Sequence, residues 1–260
     1  MLQRLQYVPR VGKFVQRNGV RHSGRVVGMV ARNGWMGRLD RRREAPFGVN
    51  TGGVVTLDEL AIDSDNRKLG FASVPSPGLL VATLINSVPE DLSRFRFIDF
   101  GSGKGRALLV AAHFRFAEII GVEFSPELHE LAAANIRGYL EAERPCESVR
   151  SVCADAATFE LPDGDLVLYF NNPFAEPVFS QVLSNIRQAH QRDGQKIYVL
   201  YQRLAEGLET DRTNNVALLR HSGFLEERPI EFPSPLARFL LAPYELRVFA
   251  STGRRPIGSI

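Results

Sequence analysis

The run Phe97-Ile-Asp-Phe-Gly-Ser-Gly-Lys-Gly-Arg106 sets a carboxylate, Asp99, at the end of an apolar stretch. Three glycines follow at alternate positions: Gly101, Gly103 and Gly105. Glycines there let the backbone pass close to a ligand and aim its N–H groups at it. Three ligand-binding loops compete for this run. A phosphate-binding P-loop needs a glycine where Ile98 stands and Ser or Thr where Gly105 stands, so it fails. A GxGxxG dinucleotide fingerprint needs its third glycine at Arg106 and is weakened. A GxGxG loop with a preceding acid fits every position, Ser102 included. A plain strand-to-helix turn that uses glycine is the competing structural reading.

Other residues of matching chemistry follow at strand-like ends. Glu123 closes the next apolar run, 18 residues after Gly105. An acid there can accept from both hydroxyls of a ribose. Asp155, in Cys153-Ala-Asp-Ala-Ala157, can accept from the amino group of an adenine while the Ala156 N–H donates to the ring; it reads equally as a turn or cap aspartate. Asn171-Asn172-Pro173-Phe174 follows the run Leu-Val-Leu-Tyr-Phe. Amide or backbone oxygens there can accept from a target amine, and Phe174 can pack against the reacting group. An Asn/Pro turn is the alternative. Tyr201 and Gln202 end the next run and read as lining the same mouth or as buried in the sheet.

The elements that position these residues alternate. Strands are expected at the run ending in Phe100, at Glu118–Phe124, at the run ending near Asp155, at Leu166–Asn171 and at Lys196–Gln202. Ile230-Glu-Phe232 and Glu245–Thr252 complete the set. Helices are expected at Gly78–Val88, from about Gly105, at Ser125–Leu140, Pro177–Gln191 and Asn215–His221. Ser125 as N-cap, Pro126 at the first helical position and Glu127 in the first turn mark one start clearly. Helices of this length between strands imply an α/β fold with a doubly wound, mostly parallel sheet. Ligands bind such sheets at the carboxyl ends of the strands.

Composition bounds the remainder. The 260 residues suit one domain with an extension, and 44% hydrophobic content supplies a core. No run of ~20 apolar residues is present, and the expectation is of a chain without a secretory signal in a reducing cytoplasm. Two cysteines and five histidines offer no metal-binding spacing. The net charge of +3 conceals an asymmetry: residues 1–45 hold 11 Lys and Arg against Asp40 and Glu44 alone. We divide the chain into a basic arm (1–46), a helical cap (47–95), a core (96–252) and a tail (253–260). The Val26–Ala31 cluster of the arm reads as either strand or short helix. A basic arm suits contact with nucleic acid, an acidic protein partner or an anionic surface, or simply aids solubility.

From about Phe47 to Thr252 the chain resembles the class I S-adenosylmethionine (AdoMet) methyltransferases, and more narrowly an uncharacterised bacterial group of them. The shared runs are FGVNTGGVV, the PSP loop, FIDFGSGKGR, IIGVEFSPELHELAAANI, CADA and NPF. The resemblance implies a seven-stranded Rossmann-like sheet with an antiparallel last strand. It implies AdoMet as cofactor, with Asp99, Gly101, Gly103 and Gly105 at its methionine part, Glu123 at the ribose, and Asp155 with Ala156 at the adenine. NNPF resembles the [ND]PP[YF] motif of amide- and amine-methylating enzymes, with Asn172 in place of the first proline. It also resembles the Asn-Asn-x-x-Phe run of histone-lysine methyltransferases that lack a SET domain, with Phe174 one residue early. Methyl transfer to a nitrogen of a macromolecule is therefore expected. A non-catalytic AdoMet- or nucleotide-binding module, or methyl transfer to a small molecule, is the alternative.

Overall fold

The computed structural model describes residues 20–56, 60, 70–139, 146, 148–205, 208 and 213–253. Seven strands form one sheet: β1 (Phe95–Phe100), β2 (Glu118–Glu123), β3 (Val149–Cys153), β4 (Asp165–Asn171), β5 (Ile197–Leu204), β6 (Leu225–Arg228) and β7 (Tyr244–Ser251). Their order is β3-β2-β1-β4-β5-β7-β6. The first five run parallel, and β7 lies antiparallel between β5 and β6. Among the described residues seven α-helices accompany them: α1 (Val20–Glu44), α2 (Gly78–Asn86), α3 (Arg106–Ala111), α4 (Pro126–Tyr139), α5 (Glu176–Asp193), α6 (Asn215–Arg220) and α7 (Pro235–Leu241).

The strands form where the sequence runs apolar because both sheet faces are covered. Their period of two divides the core. Phe97, Ile119, Val167, Tyr169 and Leu200 join the core that contains α2, α3 and α7 residues. Ile98, Phe100, Ile120, Leu168 and Phe170 join the one that contains α5 and α6 residues. Phe100 and Phe170 stack at 5.0 Å, and Phe179 of α5 meets Phe170 edge-on at 5.3 Å. The helix from α3 onward packs so closely that Gly121 of β2 has no room for a side chain. A Cβ there would stand 2.6 Å from Leu108 Cδ1 and 2.7 Å from Ser102 Oγ.

Several expectations need correction. Val26–Ala31 is neither strand nor short helix but lies within α1, a 25-residue helix. Ile230–Phe232 is not a strand. Pro229 and Pro233 bracket it, and its apolar residues pack on the core as irregular chain. The edge strand is instead Leu225–Arg228, where only Leu225 is buried. Helix α7 was not foreseen. Residues 1–19 of the arm, most of 57–69 and the tail beyond Gly253 lie outside the described residues.

The described part of the arm is bonded to the body. Arg106, the first residue of α3, donates from Nε to Glu44 Oε1 at 3.0 Å and to Thr51 Oγ1 at 2.7 Å. Its other nitrogen pairs with Asp40 Oδ2 at 3.5 Å. Both acids of the arm thus meet one guanidinium, and all three groups are buried. Asp40 also accepts from the Gly78 N–H at 3.2 Å, which caps the start of α2 and sets a negative charge at its positive end. Burial raises the Asp40 carboxyl above its usual range against the opposing pull of Arg106.

Two stability measurements check this architecture. Gly121→Ala should lower unfolding free energy in urea by about 1–3 kcal/mol as α3 is pushed from the sheet. Arg106→Ala should cost about 3–5 kcal/mol, because it strands two buried carboxylates without their cation. A loss below about 1 kcal/mol for Arg106→Ala would show that the network does not hold α1 to the body.

Candidate functional site

The sheet order reverses between β1 and β4, and a crevice opens there at the strand tips. It encloses about 970 Å³, including its open mouth. Four successive tips line it. Ala154, Asp155 and Ala156 follow β3. Glu123 and Phe124 stand at the end of β2. Asp99, Gly101 and Ser102 come from β1 and its loop, and Asn171, Pro173 and Phe174 from the end of β4.

The glycine loop is shaped by its neighbours. Gly101 and Ser102 both donate to the Val122 carbonyl, at 2.8 and 3.2 Å, so the chain bends over the tip of β2. Gly101 and Gly103 have φ of 77° and 53°, in the left-handed region. A Cβ on Gly101 would lie 2.8 Å from Pro173, and one on Gly103 would lie 2.5 Å from Ser73 Oγ. Positive φ and close approach therefore both demand glycine. Gly103 and Gly105 shape the loop without lining the crevice, and Gly105 caps α3.

Asp99 and Glu123 are each only 3% exposed. Glu123 accepts from the Gly103 N–H at 2.8 Å and from the Ser125 N–H at 3.0 Å. Burial still raises its carboxyl above the usual range, opposed by those bonds. Asp99 has no hydrogen bond from any described residue. Burial pushes its carboxyl well up, and the neighbouring Glu123 adds to the shift. A buried carboxylate without donors is costly, and a cationic donor in the crevice would relieve it. Asp155 is half-buried, and its Oδ1 accepts from the Ala157 N–H at 2.9 Å, the bond of a turn aspartate. Its side chain and Ala156 nonetheless line the crevice.

The two amides at the end of β4 part company. Asn171 lines the crevice, donates to the Val74 carbonyl at 2.8 Å and accepts from Gln202. Asn172, at a φ of 40°, turns away and accepts from the hydroxyls of Tyr201 and Thr213. It does not line the crevice. Tyr201 and Gln202 are buried behind the tip and brace the two asparagines. Pro173 and Phe174 turn back over the opening, where the segment 70–76 meets them. Phe71 N–H donates to the Pro173 carbonyl at 3.3 Å, and Gly70 bridges Phe174. Tyr169 donates to Ser76 Oγ at 2.7 Å beneath this strap, and burial raises its hydroxyl far above the usual range.

Sequence reasoning missed Thr51, Ser73, Ser76, Lys104, Arg106 and Tyr169, all of which line the crevice. The FGVNTGG and PSP runs were visible signals for Thr51 and Ser76, and the loop itself for Lys104 and Arg106. Nothing marks Tyr169 within its apolar run. Among the described residues there is no cluster of three metal-ligating side chains, and no helix is long and apolar enough to cross a membrane.

Residues 97–194 match the family model described as a methyltransferase domain. No curated protein matches the chain. Among solved structures it is similar to a TehB-like SAM-dependent methyltransferase from Corynebacterium glutamicum, with 14% identity over 67% of this chain and 88% of that one, TM-score 0.45. A precorrin-6y C5,15-methyltransferase from Geobacter metallireducens gives 15% identity, 75% and 94% coverage and a TM-score of 0.47. An RNA methyltransferase from Salinibacter ruber, in complex with S-adenosyl-L-homocysteine, gives 16%, 72% and 98%, and 0.41. The family match runs from β1 through the glycine loop to the end of α5, so this part of the chain, with four of the strand tips that line the crevice, is similar to a methyltransferase domain.

Proposed function

We propose that this enzyme methylates a nitrogen nucleophile on a protein or other macromolecule. The observation that carries this reading is the chemistry of the β4 tip. Asn171, Pro173 and Phe174 present amide, carbonyl and ring surfaces to the crevice and no carboxylate. No His or Cys lines the crevice among the described residues, and the Tyr169 hydroxyl is committed to Ser76. Such a tip can orient the N–H bonds of an amine that arrives uncharged. It supplies no strong base for a hydroxyl, which must lose its proton to become nucleophilic. The basic face of α1, with Arg38, Arg41 and Arg42 exposed beside the inward-facing Asp40 and Glu44, supports a polyanionic or acidic macromolecular acceptor.

The residues of the crevice fit AdoMet in the order of the strands. Asp155 and the Ala156 N–H suit the adenine, Glu123 the ribose hydroxyls, and Asp99 the α-ammonium. Bound AdoMet supplies an electrophilic methyl on a sulfonium. The protein's part is to align the acceptor nitrogen opposite the sulfur beside Asn171 and Phe174 and to exclude water with the 70–76 strap. The nitrogen gives up its proton to solvent at the mouth.

The raised Asp99 carboxyl fixes a sign. Burial and Glu123 favour its protonated form in the fold, so its contribution to stability is present at low pH and is lost as pH rises through the raised value. Ligand affinity runs the other way, since only the ionised form attracts the ammonium. AdoMet affinity should therefore fall as pH drops through that value. Asp99→Asn should hold or raise the thermal midpoint of the ligand-free protein at neutral pH while weakening AdoMet by about tenfold or more. Calorimetric titration and thermal melts read both effects, and unchanged affinity would remove Asp99 from the site.

Incubation with methyl-labelled AdoMet and a cell extract tests the acceptor. Label should enter the macromolecular fraction and survive mild base, as N-methyl groups do. Label confined to small molecules, or released by base as from a methyl ester, would contradict the reading.

A further inference from the structure

AdoMet carries a carboxylate as well as an ammonium, and a buried carboxylate needs a cation or several donors. Two cationic side chains line the crevice, Lys104 and Arg106. Arg106 is already neutralised by Asp40 and Glu44. Lys104 is half-buried, and its Nζ donates to the Gly52 carbonyl at 2.7 Å. It has no ion pair with any described residue. Its position follows from the fold: the Lys104 carbonyl accepts from Asn135 of α4 at 2.9 Å, which fixes the backbone of the loop on the side of Gly52 and Thr51.

The strand order decides what Lys104 meets. A sulfonium nucleoside laid across the tips puts its base at β3, its ribose at β2 and its amino acid at the β1 loop. Asp99 and Lys104 are the acid and the unneutralised cation of that loop. From this pairing we infer that Lys104 is the carboxylate-binding residue of the cofactor site. The inference rests on the cofactor reading given above. One ammonium then spans two roles. It holds the 50–53 segment through Gly52, and it neutralises the ligand carboxylate by a charge-assisted hydrogen bond. The enzyme thereby selects for ligands that keep the whole amino acid, and a nucleoside thioether lacking it forfeits the contact.

The test uses the full-length protein and two probes, S-adenosylhomocysteine and 5′-methylthioadenosine; the second lacks the amino acid. Lys104→Met keeps most of the side-chain stem and removes the charge. Calorimetry should show S-adenosylhomocysteine weakened by about tenfold or more and methylthioadenosine by less than about twofold. Lys104→Arg should restore most of the loss. Equal weakening of both probes would mean that Lys104 only clamps Gly52, and would overturn the inference. Unchanged affinity for both would overturn it as well. If the unaltered protein binds neither probe, the cofactor reading itself falls and takes the inference with it.

Discussion

Two carboxylates buried at adjacent strand tips constrain the rest of this molecule. Asp99 and Glu123 are taken out of water next to each other, which disfavours ionising both. Glu123 is relieved by backbone donors of the glycine loop and of the start of α4. Asp99 has no such relief among the described residues. Burial and the neighbouring Glu123 therefore both oppose a negative charge on Asp99, and a cation placed in the crevice would offset them. A low-dielectric site makes that attraction stronger than it would be at the surface. The same burial that opposes the charge in the free protein would thus favour binding of a cation.

Keeping that site closed requires parts of the chain far apart in sequence. The loop after β1 cannot bend over β2 unless Gly101 and Gly103 accept left-handed angles under Pro173 and Ser73. Arg106 then anchors the loop's far end to Asp40, Glu44 and Thr51. Asn135 of α4 ties the Lys104 carbonyl and the Asn50 carbonyl together. The 70–76 strap is held by Asn171, Tyr169 and Pro173. Helix α1 is in this way tied to the glycine loop through a buried ion network, although none of its own described residues lines the crevice.

The strand pattern was legible because β1, β2, β4 and β5 are buried on both faces and read as apolar runs, whereas the edge strand β3 is only partly buried. β1, β2 and β4 end within a residue of expectation for that reason, and the carboxylates at their ends follow. β6 was not legible, since an edge strand of sequence Leu-Glu-Glu-Arg has no such run. Helix α1 was obscured by Gly24, Gly28, Gly34 and Gly37, which lower intrinsic helix propensity. Its stability comes from Met36, Asp40 and Glu44 on the face turned to the body, contacts that no local window contains. Asn171 and Asn172 looked equivalent on paper. Side chains at a strand end point to opposite sides, so only one of two neighbours can face a crevice.

Proton release on ligand binding tests the central claim most directly. Between about pH 4 and pH 6 the ligand's own amino group is fully protonated, so at each pH of a series across that range it exchanges no protons of its own. Titrating AdoMet calorimetrically in two buffers of different ionisation enthalpy then counts protons moved by the protein. The account predicts net release as Asp99 ionises against the bound ammonium, and loss of that release in Asp99→Asn. Saturable binding with no buffer dependence, or with proton uptake, would contradict it.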